Sequence, residues 1–210
     1  MESPFADLSR LQVNKLFDLL GVHIYKFNKN EEILPTIKNG NILCIILEGF
    51  AQIIYIEYNG NEVVTERLYK ESIFGTNISG INNENYQIIA KELTEVVVID
   101  YAKLLNPNNM QHNYFNIFLS NLFNIINTKF KEKNDRIRIL EKKQLRDKLL
   151  EYFEIENKKN HSKFIYLPST LKDLADYIGA NRSAMFRELK HLKDDGFIEI
   201  KEKRIILLYK

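Results

Sequence analysis

The chain has 210 residues, 45% of them hydrophobic and 28% charged, which suits one large globular domain or two small ones. It has no run of 18 apolar residues to span a membrane, and its acid-bearing start, MESPFADLSRLQVNKLFDLL, is not read as a signal peptide. Cys44 is the single cysteine, so an intrachain disulfide, a multi-cysteine zinc site and a cysteine-ligated iron–sulfur cluster are excluded within one chain, and a reducing cytoplasm is the expected setting.

The net charge of +2 is unevenly divided. Residues 1–110 hold 9 Lys/Arg against 14 Asp/Glu, whereas residues 111–160 hold 11 against 7 and residues 161–210 hold 10 against 7. An acidic first half followed by a basic second half points to a polyanion partner for the latter.

In chain order, residues 9–20 place Leu11, Leu16, Leu19 and Leu20 at helical spacing, a short lead-in helix. After Gly21 the texture becomes that of short strands, at 23–27, 32–34, 42–47, 51–58, 62–68, 87–91 and 95–100. Turn signals separate them, the strongest being Asn59-Gly60 between two alternating runs. Many short strands at this spacing predict an antiparallel sandwich or roll. The run 42–47 is apolar throughout and is expected to be buried on both faces, which makes Cys44 a core residue and not a redox sensor.

From about residue 110 a helical period takes over. Phe115, Leu119, Leu122, Ile126 and Phe130 recur in a stripe wider than one small domain needs. The stripe either covers the roll or packs on its twin in a second subunit; the surplus favours the second, with Phe115, Leu119, Leu122 and Ile126 as the seam. A charge-dense stretch, 131–148, follows, and the domain boundary is placed within it, near 138–141. A helix around Leu149 and Phe153, a polar loop and a short strand at 164–167 lead to Pro168.

Residues 169–196, STLKDLADYIGANRSAMFRELKHLKDDG, read as two short helices and a tight turn. Thr170 can cap the first, with Asp173 in the capping-box position. Gly179 suits a left-handed helix end, and Asn181 can cap the next helix. In that helix Met185, Leu189 and Leu192 point inward with Phe186 beside them, while Ser183, Arg187, Lys190 and Asp194 lie opposite and Arg182 stands at the start. This is the layout of a helix-turn-helix, whose second helix enters the major groove; an ordinary helical hairpin in a core is the alternative. Two apolar runs, 197–200 and 204–209, with Lys201-Glu202-Lys203 between them, add a β-hairpin with a charged tip, so the whole reads as a winged helix. Asn181, Arg182, Ser183, Arg187, Lys190, Thr170, Lys201 and Lys203 are the expected DNA-contacting residues, bases being read by Arg182, Ser183 and Arg187. No Gly-rich phosphate loop, paired-His metal motif or nucleophile motif is present, and neither an enzyme nor a metal site is expected.

In this order of elements the chain resembles the Crp/Fnr superfamily of bacterial transcription regulators. The likeness is carried by Leu47-Glu48-Gly49, Asn59-Gly60-Asn61-Glu62, Ile73-Phe74-Gly75, the stretch RDKLLEYF at 146–153 and NRSAMFR at 181–187. It implies an α+β fold with three parts: an antiparallel β-roll (cupin-like, a double-stranded β-helix) at 1–110, a long dimerisation helix at 111–138, and a winged helix-turn-helix at 139–210. It further implies a homodimer on a near-palindromic promoter site in double-stranded DNA, with RNA polymerase as a further partner and no membrane. The effector pocket of the family falls at Gly75, Thr76, Glu84 and Tyr86. Cyclic-AMP binders carry an acid just after Phe-Gly and an Arg about eight residues on; here Thr76 and Glu84 stand near those positions. An anionic cyclic phosphate would meet a carboxylate and no cation, so the effector is expected to be something other than cyclic AMP, or absent. His23, His112, His161 and His191 are scattered and give no haem ligand set, and no cofactor is expected. The alternative function is a small-ligand sensor module without promoter recognition.

Overall fold

The computed structural model describes residues 3–33, 41–76, 85–166, 171–201 and 204–209. It divides into two compact units, Met1–Asn127 and Thr128–Lys210.

In the first unit, helix α1 (Arg10–Leu20) starts on a capping box between Ser9 and Gln12 and ends on left-handed Gly21. Among the described residues seven strands follow: β1 (His23–Phe27), β2 (Ile42–Glu48), β3 (Ala51–Ile56), β4 (Glu62–Leu68), β5 (Ile73–Gly75), β6 (Tyr86–Ala90) and β7 (Thr94–Asp100). They form two antiparallel sheets, β1-β7-β2-β5 and β4-β3-β6. The period-2 alternation of β2 explains its continuous apolarity. Ile42, Cys44 and Ile46 enter the core shared with Ile53, Phe74, Ile88, Val96 and Val98. Leu43 and Ile45 face a second core with Ile73, Val97, Leu16, Leu20 and Phe115. Both faces are buried, as the sequence implied. Burial pushes the Cys44 thiol up to about 12, so it stays protonated and unreactive at neutral pH.

The Asn59-Gly60 turn joins β3 to β4: the Gly60 N–H donates to the Glu57 carbonyl and Gly60 adopts a φ of 82°. Strand β5 was not expected; it is three residues long and exists through its pairing of Phe74 with Cys44. Two short elements after β7, helix α2 (Tyr101–Leu104) and a 3₁₀ turn (Pro107–Gln111), were also unexpected. The strand anticipated at 32–34 is reduced to a bridge between Glu32 and Ile89, residue 34 lying outside the described residues.

Helix α3 (Asn113–Leu140) is continuous for 28 residues. Phe115, Phe118, Leu122 and Ile125 from its first half belong to the second core of the first unit. Ile139, near its end, belongs to the core of the other unit.

The second unit continues with α4 (Leu145–Asn160), β8 (Phe164–Tyr166), α5 (Leu171–Tyr177), α6 (Arg182–Asp194), β9 (Ile198–Lys201) and β10 (Arg204–Leu207). The strands form one antiparallel sheet, β8-β10-β9, so the expected hairpin gains a third strand at its β10 edge. One core gathers Leu149, Phe153, Ile165, Leu174, Met185, Leu189, Leu192, Ile198 and Ile205. Polar ties bind the end of α3 to this unit. Arg136 donates from Nε to the Tyr177 carbonyl (3.2 Å) and lies over the Tyr177 ring. Arg138 and Lys142 both hold Glu151.

Burial pushes the Glu151 carboxyl up, but Lys142 and Arg138 outweigh it and hold the group below its ordinary value of 4.5. A carboxylate depressed in the folded state stabilises above its unfolded pKa, and that contribution fades as pH falls through the lower folded value. Glu151→Gln is therefore expected to lower the melting temperature at pH 7 and to flatten its fall between about pH 5 and pH 3. An acid profile identical to wild type contradicts the assignment. Among the described residues, no helix is long and apolar enough to cross a membrane.

Candidate nucleic-acid interface

The α5–α6 pair is built by local signals. The Gly179 and Ala180 N–H groups donate to the carbonyls of Asp176 and Ala175, closing α5 through left-handed Gly179 (φ 62°). The Asn181 Oδ1 then accepts from the N–H of Ser183 (2.9 Å) and of Ala184 (3.3 Å), fixing the start of α6. That use as a cap gives Asn181 a structural role at the start of α6.

In α6, Met185, Leu189 and Leu192 are buried. Arg182, Ser183, Arg187 and Lys190 are exposed, on one continuous polar side of the helix. Among the described residues, Arg182, Arg187 and Lys190 form no ion pair, so their charge is free to meet a polyanion. Two acids are drawn elsewhere: Arg146 at the start of α4 holds Glu188 of α6 (3.7 Å) and Asp195 just past its end (2.7 Å) and lies over the Phe197 ring. Sequence reading placed Arg146 only in a helix; its work as a clamp between α4 and the end of α6 depends on tertiary contacts. Phe186, expected beside the inward residues, is instead 42% exposed, with the Arg182 guanidinium 5.6 Å from its ring centre.

On the wing, Lys201 pairs with Glu199 across one residue (3.0 Å) and stays exposed. Arg204 lies opposite Lys201 in the register and over the ring of Tyr166. Thr170 and Lys203 lie outside the described residues.

The expected effector residues are placed less coherently. Gly75 is pressed against β2: a Cβ there would stand 2.2 Å from the Ile42 carbonyl oxygen, so only glycine fits. The Thr76 Oγ1 accepts from the Ile42 N–H (3.2 Å), and the Thr76 N–H donates to the Ile42 carbonyl (3.3 Å). Thr76 is thus spent on holding the β5 edge. Tyr86 sits in the other sheet, opposite Tyr55 and 5.0 Å from it ring to ring. Glu84 lies outside the described residues.

The four expected seam residues divide into two pairs. Phe115 and Leu122 are buried against the roll, and Leu119 and Ile126 are half-buried beside them. The most open apolar residues of α3 are Phe123 (64% exposed), Phe130 (65%) and Ile137 (52%), with Leu140 exposed at its end. The helix carries two apolar stripes, and the roll claims the one that includes Phe115 and Leu122.

Over residues 144–209 the chain matches the Crp-like helix-turn-helix domain. It is 25% identical over 191 residues, 88% of this chain and 77% of the other, to the "Putative HTH-type transcriptional regulator ycf28" of Porphyra purpurea. Among solved structures it is similar to OCPA-complexed CprK (TM-score 0.61, 17% identity, 93% of this chain and 91% of that one). It is also similar to a CooA mutant from Carboxydothermus hydrogenoformans (0.55, 17%, 98% and 94%). A third is a cyclic nucleotide-binding domain containing protein from Listeria monocytogenes EGD-e (0.54, 18%, 93% and 97%). The structural likenesses extend the shared fold over both units.

Proposed function

We propose that this chain, a transcription regulator of the Crp/Fnr type, binds a near-palindromic promoter site as a homodimer, with α6 of each subunit in the major groove. The observation that carries this is the exposed set Arg182, Ser183, Arg187 and Lys190, whose three cations form no ion pair among the described residues, on a helix whose other side is locked into a winged-helix core. Arg offers a bidentate match to guanine, Ser bonds a base or a phosphate, and Lys adds phosphate attraction that weakens with salt. Lys201 on the wing supplies further phosphate contact. Ser183 stands where many relatives of this type have Glu, so the target need not be their usual half-site. Two-fold symmetry in the protein calls for an inverted repeat in the DNA, and control of a promoter makes RNA polymerase the further partner.

The dimer forms along α3. Phe123, Phe130 and Ile137 are seven residues apart and exposed, and Leu119, Ile126 and Leu140 fall at the intervening heptad positions. Such a row has no reason to face water, and a parallel twin helix covers it. Lys133 interrupts the intervening row and loosens the seam there.

The roll does not sense cyclic AMP. Thr76 is engaged with β2, and residues 77–84 contain no Lys or Arg. A cyclic phosphate would have no cation to meet. Cyclic AMP at millimolar concentration is expected to leave the melting temperature unchanged; a clear rise contradicts this. The function as a whole is tested by gel shift on AT-rich promoter fragments across a salt series. Preference for particular fragments, with affinity falling as salt rises, supports it; binding without preference or salt dependence does not.

A further inference from the structure

Phe186 stands out on α6. The helix buries Met185, Leu189 and Leu192, whereas Phe186 beside them is 42% exposed. At 100° per residue its position falls between Arg182 and Lys190, about 60° from Ser183 on one side and from buried Leu189 on the other, at the edge of the polar side. It lies in the first turns of the helix, the part of a recognition helix that reaches base edges. Arg182, one turn earlier, lays its guanidinium over the ring at 5.6 Å from the centroid. The ring keeps part of its surface open to solvent beside this cation.

A phenyl ring offers no hydrogen bond. In the major groove it therefore disfavours any base edge whose donors or acceptors it would leave unmatched. The one apolar group presented there is the C5-methyl of thymine. We propose that Phe186 is a further specificity-determining residue, reading a thymine methyl in each half-site beside the bases met by Arg182, Ser183 and Arg187. This rests on the reading that α6 enters the major groove. It also gives the exposed ring a use: contact with the methyl removes apolar surface from water only when the correct base is present.

The test uses the full chain and a duplex site recovered by selection from random sequence. Each thymine pair related by the site's symmetry is replaced in turn by deoxyuridine, which removes the methyl and nothing else. At one symmetric pair, wild type is expected to bind about fourfold more weakly per half-site, the value of one buried carbon. Phe186→Ala should bind the thymine and deoxyuridine sites equally, Phe186→Leu should keep most of the penalty, and Arg187→Ala should keep it in full. Since Phe186 is not a core residue, Phe186→Ala should retain the wild-type melting temperature. If Phe186 only props Arg182, its removal weakens binding but leaves a deoxyuridine penalty the same as in wild type, and the proposal is overturned. It is equally overturned if no thymine methyl matters to wild type. Failure to recover any selected site sinks the DNA-reading function itself, a result separable from both.

Discussion

Phe130→Glu is expected to turn a dimer into a folded monomer and to abolish binding to the full promoter site. In the single chain Phe130 is 65% exposed, so a carboxylate there meets water and costs the fold little. In the seam the same change removes two phenyl rings, about 1.5–3 kcal/mol each when fully buried, and places two like charges in an apolar contact. Sedimentation velocity distinguishes the outcomes: a monomer with an unchanged circular dichroism spectrum supports the seam at Phe123, Phe130 and Ile137. Phe115→Ala provides the contrast. That ring is buried against the roll, and its loss should cost about 3–5 kcal/mol of stability in the first unit, with the association of folded chains less affected. A Phe130→Glu protein that remains a dimer with wild-type affinity places the seam elsewhere.

Arg187→Ala is expected to remove sequence preference while sparing most non-specific affinity. A bidentate Arg–guanine pair is worth about 1–3 kcal/mol of discrimination, and a dimer on a symmetric site makes it twice. The ratio of specific to non-specific binding should then fall by roughly 30-fold or more. Lys190→Ala should behave differently, weakening all sequences alike and lowering the salt slope by about one per subunit. Fluorescence anisotropy on a selected and a scrambled duplex at several salt concentrations separates the two. An Arg187→Ala protein that holds its best site as tightly as wild type does refutes the base-contact assignment.

Much of this architecture was legible in the sequence because local chemistry dictates it. Gly179 and Asn181 fix the turn between α5 and α6 through their own backbone and side-chain bonds, so their spacing alone located α6. The apolar run of β2 announced a strand buried on both sides. What escaped notice depended on partners distant in sequence. Strand β5 is too short to show a period and is defined by its register with β2. Strand β8 was visible, but its pairing with β10 was not.

The seam shows the same limit in a sharper form. At 3.6 residues per turn α3 presents two apolar stripes, and composition cannot say which of them the roll will cover. The choice is made by Leu16, Leu43 and Ile45, which meet Phe115 and Leu122 from α1 and β2. Phe186 was misplaced for a related reason: an aromatic residue next to Met185 reads as core until the core proves to be filled without it. Thr76 was read as a lost ligand contact, and the structure gives it a positive role in holding β5 to β2.

The most direct test of the central claim is selection of bound duplexes from a random pool by the purified chain, followed by sequencing. The expected result is an enriched inverted repeat whose half-site centres lie about 10–10.5 base pairs apart, or a multiple of that. An unenriched pool, or a single asymmetric element bound by one subunit, would contradict a dimeric promoter reader.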